Sequence, residues 1–235
     1  MKASRRKFKL LHLPIIVIQE VLSNMECHEL FDFSLCSKRC KRLVGITRNS
    51  FIGISLQISK WDQQVSVERR GRVECFGWSI GGKKWTTNYK YMKINGKRFK
   101  MNILSSRMHR VMNTKTPELD LRILVDYLKE IFRIPILHVD LSADRIVNFM
   151  KYVPLFSQCH SMNMTAKTVS EEALEAFKAQ VTVANRFFIN YIDVNPRKAS
   201  TWWFRSSPTR FFANENERFQ RVPQDEPNLR FMPPF

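Results

Sequence analysis

The chain has 235 residues, with 39 Lys and Arg against 21 Asp and Glu, a formal net charge of +18. Its 44% hydrophobic content is an ordinary globular share and excludes a chain disordered throughout. No stretch reaches the roughly 20 continuous apolar residues that span a bilayer, so no membrane partner is expected. The opening MKASRRKFKLLHLPIIVIQE starts like a signal peptide. Its apolar part breaks at His12 and Pro14, and no small-residue cleavage site follows. The cysteines Cys27, Cys36, Cys40, Cys75 and Cys159 are odd in number and irregularly spaced. That pattern favours reduced thiols and a cytoplasmic or nuclear protein over a disulfide frame.

In chain order, the first feature is a basic run, Lys2, Arg5, Arg6, Lys7 and Lys9. Residues from Leu13 to about Asn49 read as short helices. Pro14 suits a first helical turn, and Val17, Ile18, Val21, Leu22 and Met25 keep helical spacing. Leu30, Phe31, Phe33 and Leu35 mark a second helix. A third opens near Ser37, with Lys38, Arg39, Lys41 and Arg42 on one side and Cys40, Leu43 and Val44 on the other, and Gly45 weakens or ends it. So small a unit has too little core to be stable alone.

The period then changes from helical to two. Ile52, Ile54, Leu56 and Ile58 alternate with small or polar residues, which predicts a strand with one buried face. Val65 and Val67, a turn at Arg70-Gly71, then Val73 and Cys75 predict a second pair of strands. Gly81-Gly82 and Asn95-Gly96 are turn signals, the latter a hairpin between Met92/Ile94 and Phe99/Met101/Ile103. From Pro117 the pattern becomes α/β. Leu121, Leu124, Val125, Leu128 and Phe132 form one helical stripe. Strands are expected at Ile136–Leu141, Ser161–Thr165 and Phe187–Ile192. Helices are expected at Ala143–Val153 and after a capping box at Thr168–Glu171. The strand spacing lies in the range of leucine-rich-type repeats and predicts stacked strand–helix units with a parallel sheet. After Val194 the chain is rich in proline and reads as an irregular tail. In it Trp202-Trp203-Phe204 either docks back on the domain or forms an exposed patch.

Nothing in the sequence supports catalysis, a metal or a cofactor. Cys27-His28, Cys36 and Cys40 do not fit zinc spacings and read as core or half-buried thiols. Cys159-His160 would point to opposite faces of a strand, not form a nucleophile and base. Ser142 or Asp144 reads as a helix cap. Gly81-Gly82-Lys83-Lys84 lacks the spacing of a phosphate loop.

One segment carries a family resemblance. Phe8 to Pro14 (FKLLHLP), then Val17, Val21-Leu22 and Met25, then Glu29 to Val44 (ELFDFSLCSKRCKRLV) resemble an F-box. The closest likeness is to the large nematode-expanded group in which an F-box precedes an F-box-associated domain. The resemblance implies an α+β chain: a basic tail at 1–8, an F-box at 9–50, an F-box-associated substrate-binding domain at 51–195 and an irregular tail at 196–235. The associated domain would join an antiparallel strand-rich part to leucine-rich-repeat-like strand–helix units. The family's role is that of a non-enzymatic substrate receptor of a cullin–RING (SCF-type) ubiquitin ligase. Its partners would be the Skp adaptor, through it a cullin, and an unknown protein substrate. By position, Leu13 and Pro14 would enter the adaptor pocket. Ile18, Val21, Leu22, Leu30, Phe33 and Leu35 would be divided between the domain's core and the interface.

The charge supports an alternative. No acidic residue occurs between Glu74 and Glu118, where lysines and arginines alternate with Trp78, Trp85, Tyr89, Tyr91 and Phe99. Basic residues beside stacking aromatics are what single-stranded nucleic acid requires, so residues 75–117 are a candidate nucleic-acid surface. The simpler reading is a sheet with aromatics inside and lysines outside. In either case Lys83, Lys84, Lys97, Arg98 and Lys100 are the candidate contacts to nucleic acid or to an acidic substrate.

Overall fold

The computed structural model describes residues 10–70, 72–81, 89–103, 109–146, 148–190 and 202–205. A 3-10 turn at Leu10–His12 leads into α1 (Ile15–Ser23), α2 (Cys27–Cys36) and α3 (Lys38–Ile46). Pro14 stands at the N-cap of α1, where its missing N–H costs nothing. Glu26 and Glu29 close a capping box at the start of α2. The Ser37 side chain accepts from Cys40 N at 3.1 Å to cap α3. Arg39 on α3 donates to the Leu11 carbonyl at 2.9 Å and ties the entry turn to the third helix.

The strands are β1 (Phe51–Ile58), β2 (Gln63–Arg69), β3 (Arg72–Ile80), β4 (Lys90–Ile94), β5 (Lys97–Ile103) and β6 (His109–Asn113). After α4 (Pro117–Phe132) come β7 (Ile136–Ser142), β8 (Gln158–Thr165), α5 (Glu171–Gln180), β9 (Thr182–Asn190) and β10 (Trp202–Arg205). All belong to one ten-stranded sheet in the order β10-β9-β8-β7-β1-β2-β3-β6-β5-β4. β1, β7, β8 and β9 run parallel, and β1–β2–β3 and β4–β5–β6 are antiparallel meanders. The α+β expectation holds. The antiparallel part and the strand–helix units share one sheet, joined where β1 pairs with β7.

Alternation assigns the two faces of this sheet. Ile54, Leu56 and Ile58 of β1, Val65 and Val67 of β2, and Phe76, Trp78 and Ile80 of β3 are buried. So are Val139 and Leu141 of β7, Met162 and Met164 of β8, and Phe187 and Ile189 of β9. They form one core with α4, α5 and the F-box-like helices. The opposite face stays open to solvent and is mostly polar, with Gln57, His138, Asp140 and Asn163 exposed.

Local readings of the sequence differ from the structure in several places. Ile52 is exposed, because the register shifts between Phe51 and Gly53; such a bulge breaks strict alternation. A Cβ at Gly53 would fall on the Leu137 side chain, which lies across it. Ala143–Val153 is not an α-helix but two 3-10 segments, Ala143–Arg145 and Phe149–Leu155. Pro154, which has no N–H to return to Met150, bars an α-helix from continuing through this segment, and the second 3-10 segment buries Phe149, Tyr152, Val153 and Leu155. Ser170, not Thr168, caps α5 by accepting from Ala173 N. Thr168 N instead donates to Asp144 Oδ1 at 2.9 Å, so Asp144 fastens a loop and does not cap a helix. Trp202–Arg205 docks as an edge strand on β9; the remainder of the expected tail, 196–201 and 206–235, lies outside the described residues.

Candidate functional site

Two surfaces offer binding chemistry. The first is the apolar side of α1. Ile18 and Leu22, four residues apart, turn inward and are 1% and 0% exposed. The rest of this helix is also apolar: Ile16 is 76% exposed, Ile15 46%, Val17 43% and Val21 39%. A surface helix normally carries one apolar stripe, and α1 carries two. Pro14 stands exposed at its start, with Leu13 half-buried beside it and Phe33 and Leu35 of α2 half-buried as well. Of the residues expected at the adaptor interface, Ile18, Leu22 and Leu30 are placed in the core. Leu13, Pro14, Val21, Phe33 and Leu35 keep exposed surface. Ile15, Ile16 and Val17 were missing from the expected set. Their signal is four consecutive aliphatic residues, Ile15 to Ile18, more than one face of a helix can bury.

Helices α2 and α3 are anchored the other way, onto the sheet. Phe31 packs its ring edge-on against Trp78 at 5.0 Å and Tyr127 at 5.8 Å, and Phe76 meets Trp78 at 4.3 Å. Ser34 Oγ and Tyr127 Oη share a buried hydrogen bond of 2.7 Å. Burial pushes the Tyr127 hydroxyl pKa up, opposed by the Ser34 bond. Lys41 pairs with Glu130 at 2.6 Å. The helical unit is therefore completed by the sheet on one side, while α1 leaves an apolar surface uncovered on the other.

The second surface is the open face of the sheet. At its centre Ser55 donates to Glu68, and His138 Nε2 lies 3.8 Å from the Glu68 carboxylate. His138 Nδ1 shares a hydrogen bond with Ser161 Oγ. This polar row was not legible in the sequence, since its members lie on four strands. His138 is exposed, and among the described residues no activated nucleophile stands beside it, unlike a nucleophile–base–orienter site.

The basic segment divides between the two faces. Lys97 forms an ion pair with the buried Asp120, and Arg110, 1% exposed, is held by Asp32. Lys93, Arg98 and Lys100 stand on the outer face of the β4–β5 ribbon, where Lys93 faces Arg98 and Tyr91 faces Lys100 in register. Lys97 thus does not share a face with Arg98 and Lys100. Lys83 and Lys84 lie outside the described residues.

Among the described residues no group of three or more His, Cys, Asp or Glu is placed to hold a metal ion. Cys159 is buried, and desolvation pushes its thiol up to about 12, while His160 is exposed and bonded to Asn185. Desolvation, then Cys40 and Asp32, also raises the Cys36 thiol. Neither thiol is an activated nucleophile. No helix among the described residues is long and apolar enough to cross a membrane.

Comparison with known families matches the F-box domain to residues 10–50. No curated protein and no solved structure matches the chain. The match covers the entry turn, α1, α2 and α3, and it ends just before β1. Residues 10–50 of this chain are an F-box domain.

Proposed function

We propose that this chain is the substrate receptor of an SCF-type ubiquitin ligase. The F-box supports that role in general: F-box domains bind the Skp adaptor and, through it, a cullin. The observation that carries the reading is the second apolar stripe of α1. Ile15, Ile16, Val17 and Val21 are exposed beside Pro14, although the same helix already buries Ile18 and Leu22. A continuous apolar patch on a helix that is already packed marks an interface. Residues 10–50 dock on the adaptor, and residues 51–195 are the receptor domain, related to the F-box-associated domains of the nematode-expanded group. The ubiquitin-transfer chemistry belongs to other subunits. The protein works in the cytosol or nucleus.

The substrate-facing side is the open sheet face, which no helix among the described residues covers. A nucleic-acid reading of residues 75–117 is weakened by geometry, because Lys97 and Arg110 are turned inward and committed to Asp120 and Asp32. The test of the adaptor interface is Pro14→Ala combined with Ile16→Asp in the full chain. Both positions are exposed, so the fold and its melting temperature are retained. Co-purification with the Skp adaptor is expected to disappear; undiminished co-purification would refute the interface.

A further inference from the structure

We propose that the outer face of the β4–β5 ribbon binds an acidic segment of the substrate protein, a short stretch carrying clustered carboxylates or phosphates. This deepens the receptor reading and rests on it. The first support is charge. Lys93, Arg98 and Lys100 rise from one face of the ribbon, and none of them forms an ion pair with a carboxylate among the described residues. No Asp or Glu occurs between Glu74 and Glu118, so the ribbon cannot neutralise itself. The inward cations of the same segment behave oppositely: Lys97 and Arg110 each hold an aspartate. The fold thus uses Lys97 and Arg110 for its own cohesion and leaves Lys93, Arg98 and Lys100 to an external anion.

The second support is preorganisation. The Arg98 guanidinium carbon lies 3.8 Å from the centre of the Tyr91 ring, and Lys100 Nζ lies 3.5 Å from that of Tyr89. The two tyrosines meet edge to face at 5.4 Å. Rings beneath the cations restrict long side chains that would otherwise lose entropy on binding, which lowers the cost of capturing a ligand. The guanidinium keeps its fork of N–H donors for a carboxylate or phosphate. Tyr91, Met92, Lys93, Gly96 and Arg98 border a shallow groove here. Among the described residues β4 is the last strand of the sheet, so an extended peptide can be placed along it.

The same geometry separates a peptide from a nucleic acid. Single-stranded nucleic acid needs free ring faces on which bases stack. Here Arg98 and Lys100 cover one face of Tyr91 and of Tyr89, and the tyrosines lean on each other, so less ring surface is left for bases although both rings stay partly exposed.

The experiment uses the full chain co-expressed with the Skp adaptor, read by fluorescence anisotropy at low and moderate salt. The probes are an oligoglutamate peptide, a Gly-Ser peptide with paired phosphoserines, and an oligouridylate of equal charge. R98Q/K100Q is expected to weaken binding of the acidic peptides about tenfold or more, as loss of charge-assisted hydrogen bonds implies. R98E/K100E is expected to abolish it. R122E/K178E, the same change in charge elsewhere on the surface, is expected to leave it within about twofold, a shift smaller than one charge-assisted bond. Tighter binding of the phosphopeptide than of oligoglutamate assigns the site to phosphate, and the reverse assigns it to carboxylates. The proposal is overturned if neither acidic peptide binds, if R98E/K100E binds like the unaltered chain, if R122E/K178E loses as much, or if oligouridylate is preferred. Adaptor co-purification is followed in every sample. Its absence from the unaltered chain refutes the adaptor interface, while the anisotropy result still decides the acidic-peptide site.

Discussion

Arg110 of β6 donates both Nη groups to the carboxylate of Asp32 on α2, each at 2.7 Å, and so bolts the F-box to the sheet. The guanidinium is buried, with its carbon 5.3 Å and 5.0 Å from the ring centres of Phe31 and Phe76, while the Asp32 side chain is 48% exposed. The two ends of this pair are therefore unequal. Asp32→Ala strands a buried cation with no counter-charge and is expected to cost about 3 kcal/mol. Arg110→Met removes the charge and fills similar volume, and it leaves an aspartate that water can reach. It is expected to cost clearly less. Urea titration of the two variants checks the order; equal losses would mean that the pair acts simply as a pair and that burial of the guanidinium is irrelevant.

The same contacts set the outcome of a truncation. An F-box that hung from the sheet domain as a separate bead could be removed cleanly. Here Phe31 covers Trp78 and Phe76, and Ser34 satisfies Tyr127. A chain lacking residues 1–50 would expose these rings and leave the Tyr127 hydroxyl without its partner. It is expected to lose its cooperative thermal transition and to aggregate. A truncated chain that melts cooperatively near the temperature of the full chain would show that the sheet does not depend on the helices. Interface point variants, not deletion, are the sound way to dissect adaptor binding.

How much of this was readable in advance depended on how local the cause is. Asn95 and Gly96 adopt φ of 44° and 87°, and few residue pairs tolerate that, so the hairpin was visible in the letters. Pro14, Pro117 and the apolar stripe of α4 were equally local signals. The bulge at Ile52 was hidden, because a register shift is decided by the partner strand. The 3-10 path of Phe149–Leu155 was masked by helical-looking composition. Nothing local sets Arg110 apart from the other cations of the basic stretch. Its partner lies 78 residues away, and no pattern along the chain reports such a pairing. The partition of the basic segment was legible in principle, since odd and even positions of a strand face opposite ways. Only the position of the core, however, says which parity is wet.

Alkaline pH should expose two buried acids of the core. Burial pushes the Cys159 thiol from an ordinary value of 9.0 to about 12 and the Tyr152 hydroxyl from 10.0 to about 12. For Tyr152 the Glu118 charge adds to this and the Gln63 bond opposes it. A raised value means that the folded state holds its proton longer than the unfolded chain does. The associated stability is fully present below about pH 9 and is lost as pH climbs toward 12. Cys159→Ala is therefore expected to flatten the decline of stability above pH 9, with little change at pH 7. Guanidinium titrations of both proteins at pH 7 and pH 10.5 supply the comparison. Parallel declines would show that Cys159 is not the source.

Val17 and Ile18 are neighbours on α1 with opposite duties, since Val17 is 43% exposed and Ile18 is 1% exposed. If the exposed stripe is the adaptor interface, an aspartate at each position separates binding from folding. Val17→Asp places a charge in water, so the melting temperature is expected to stay within a few degrees. In a complex that charge would be forced against an apolar groove, and adaptor co-purification is expected to fall at least tenfold. Ile18→Asp places an unpaired carboxylate in the shared core, and the chain is expected to lose its thermal transition altogether. The diagnostic result is the pairing of a normal melt with lost binding in Val17→Asp. A normal melt with normal binding would move the adaptor off α1. A destroyed fold would mean that Val17 faces protein, in which case α1 has a single buried surface and its apolar excess needs another cause.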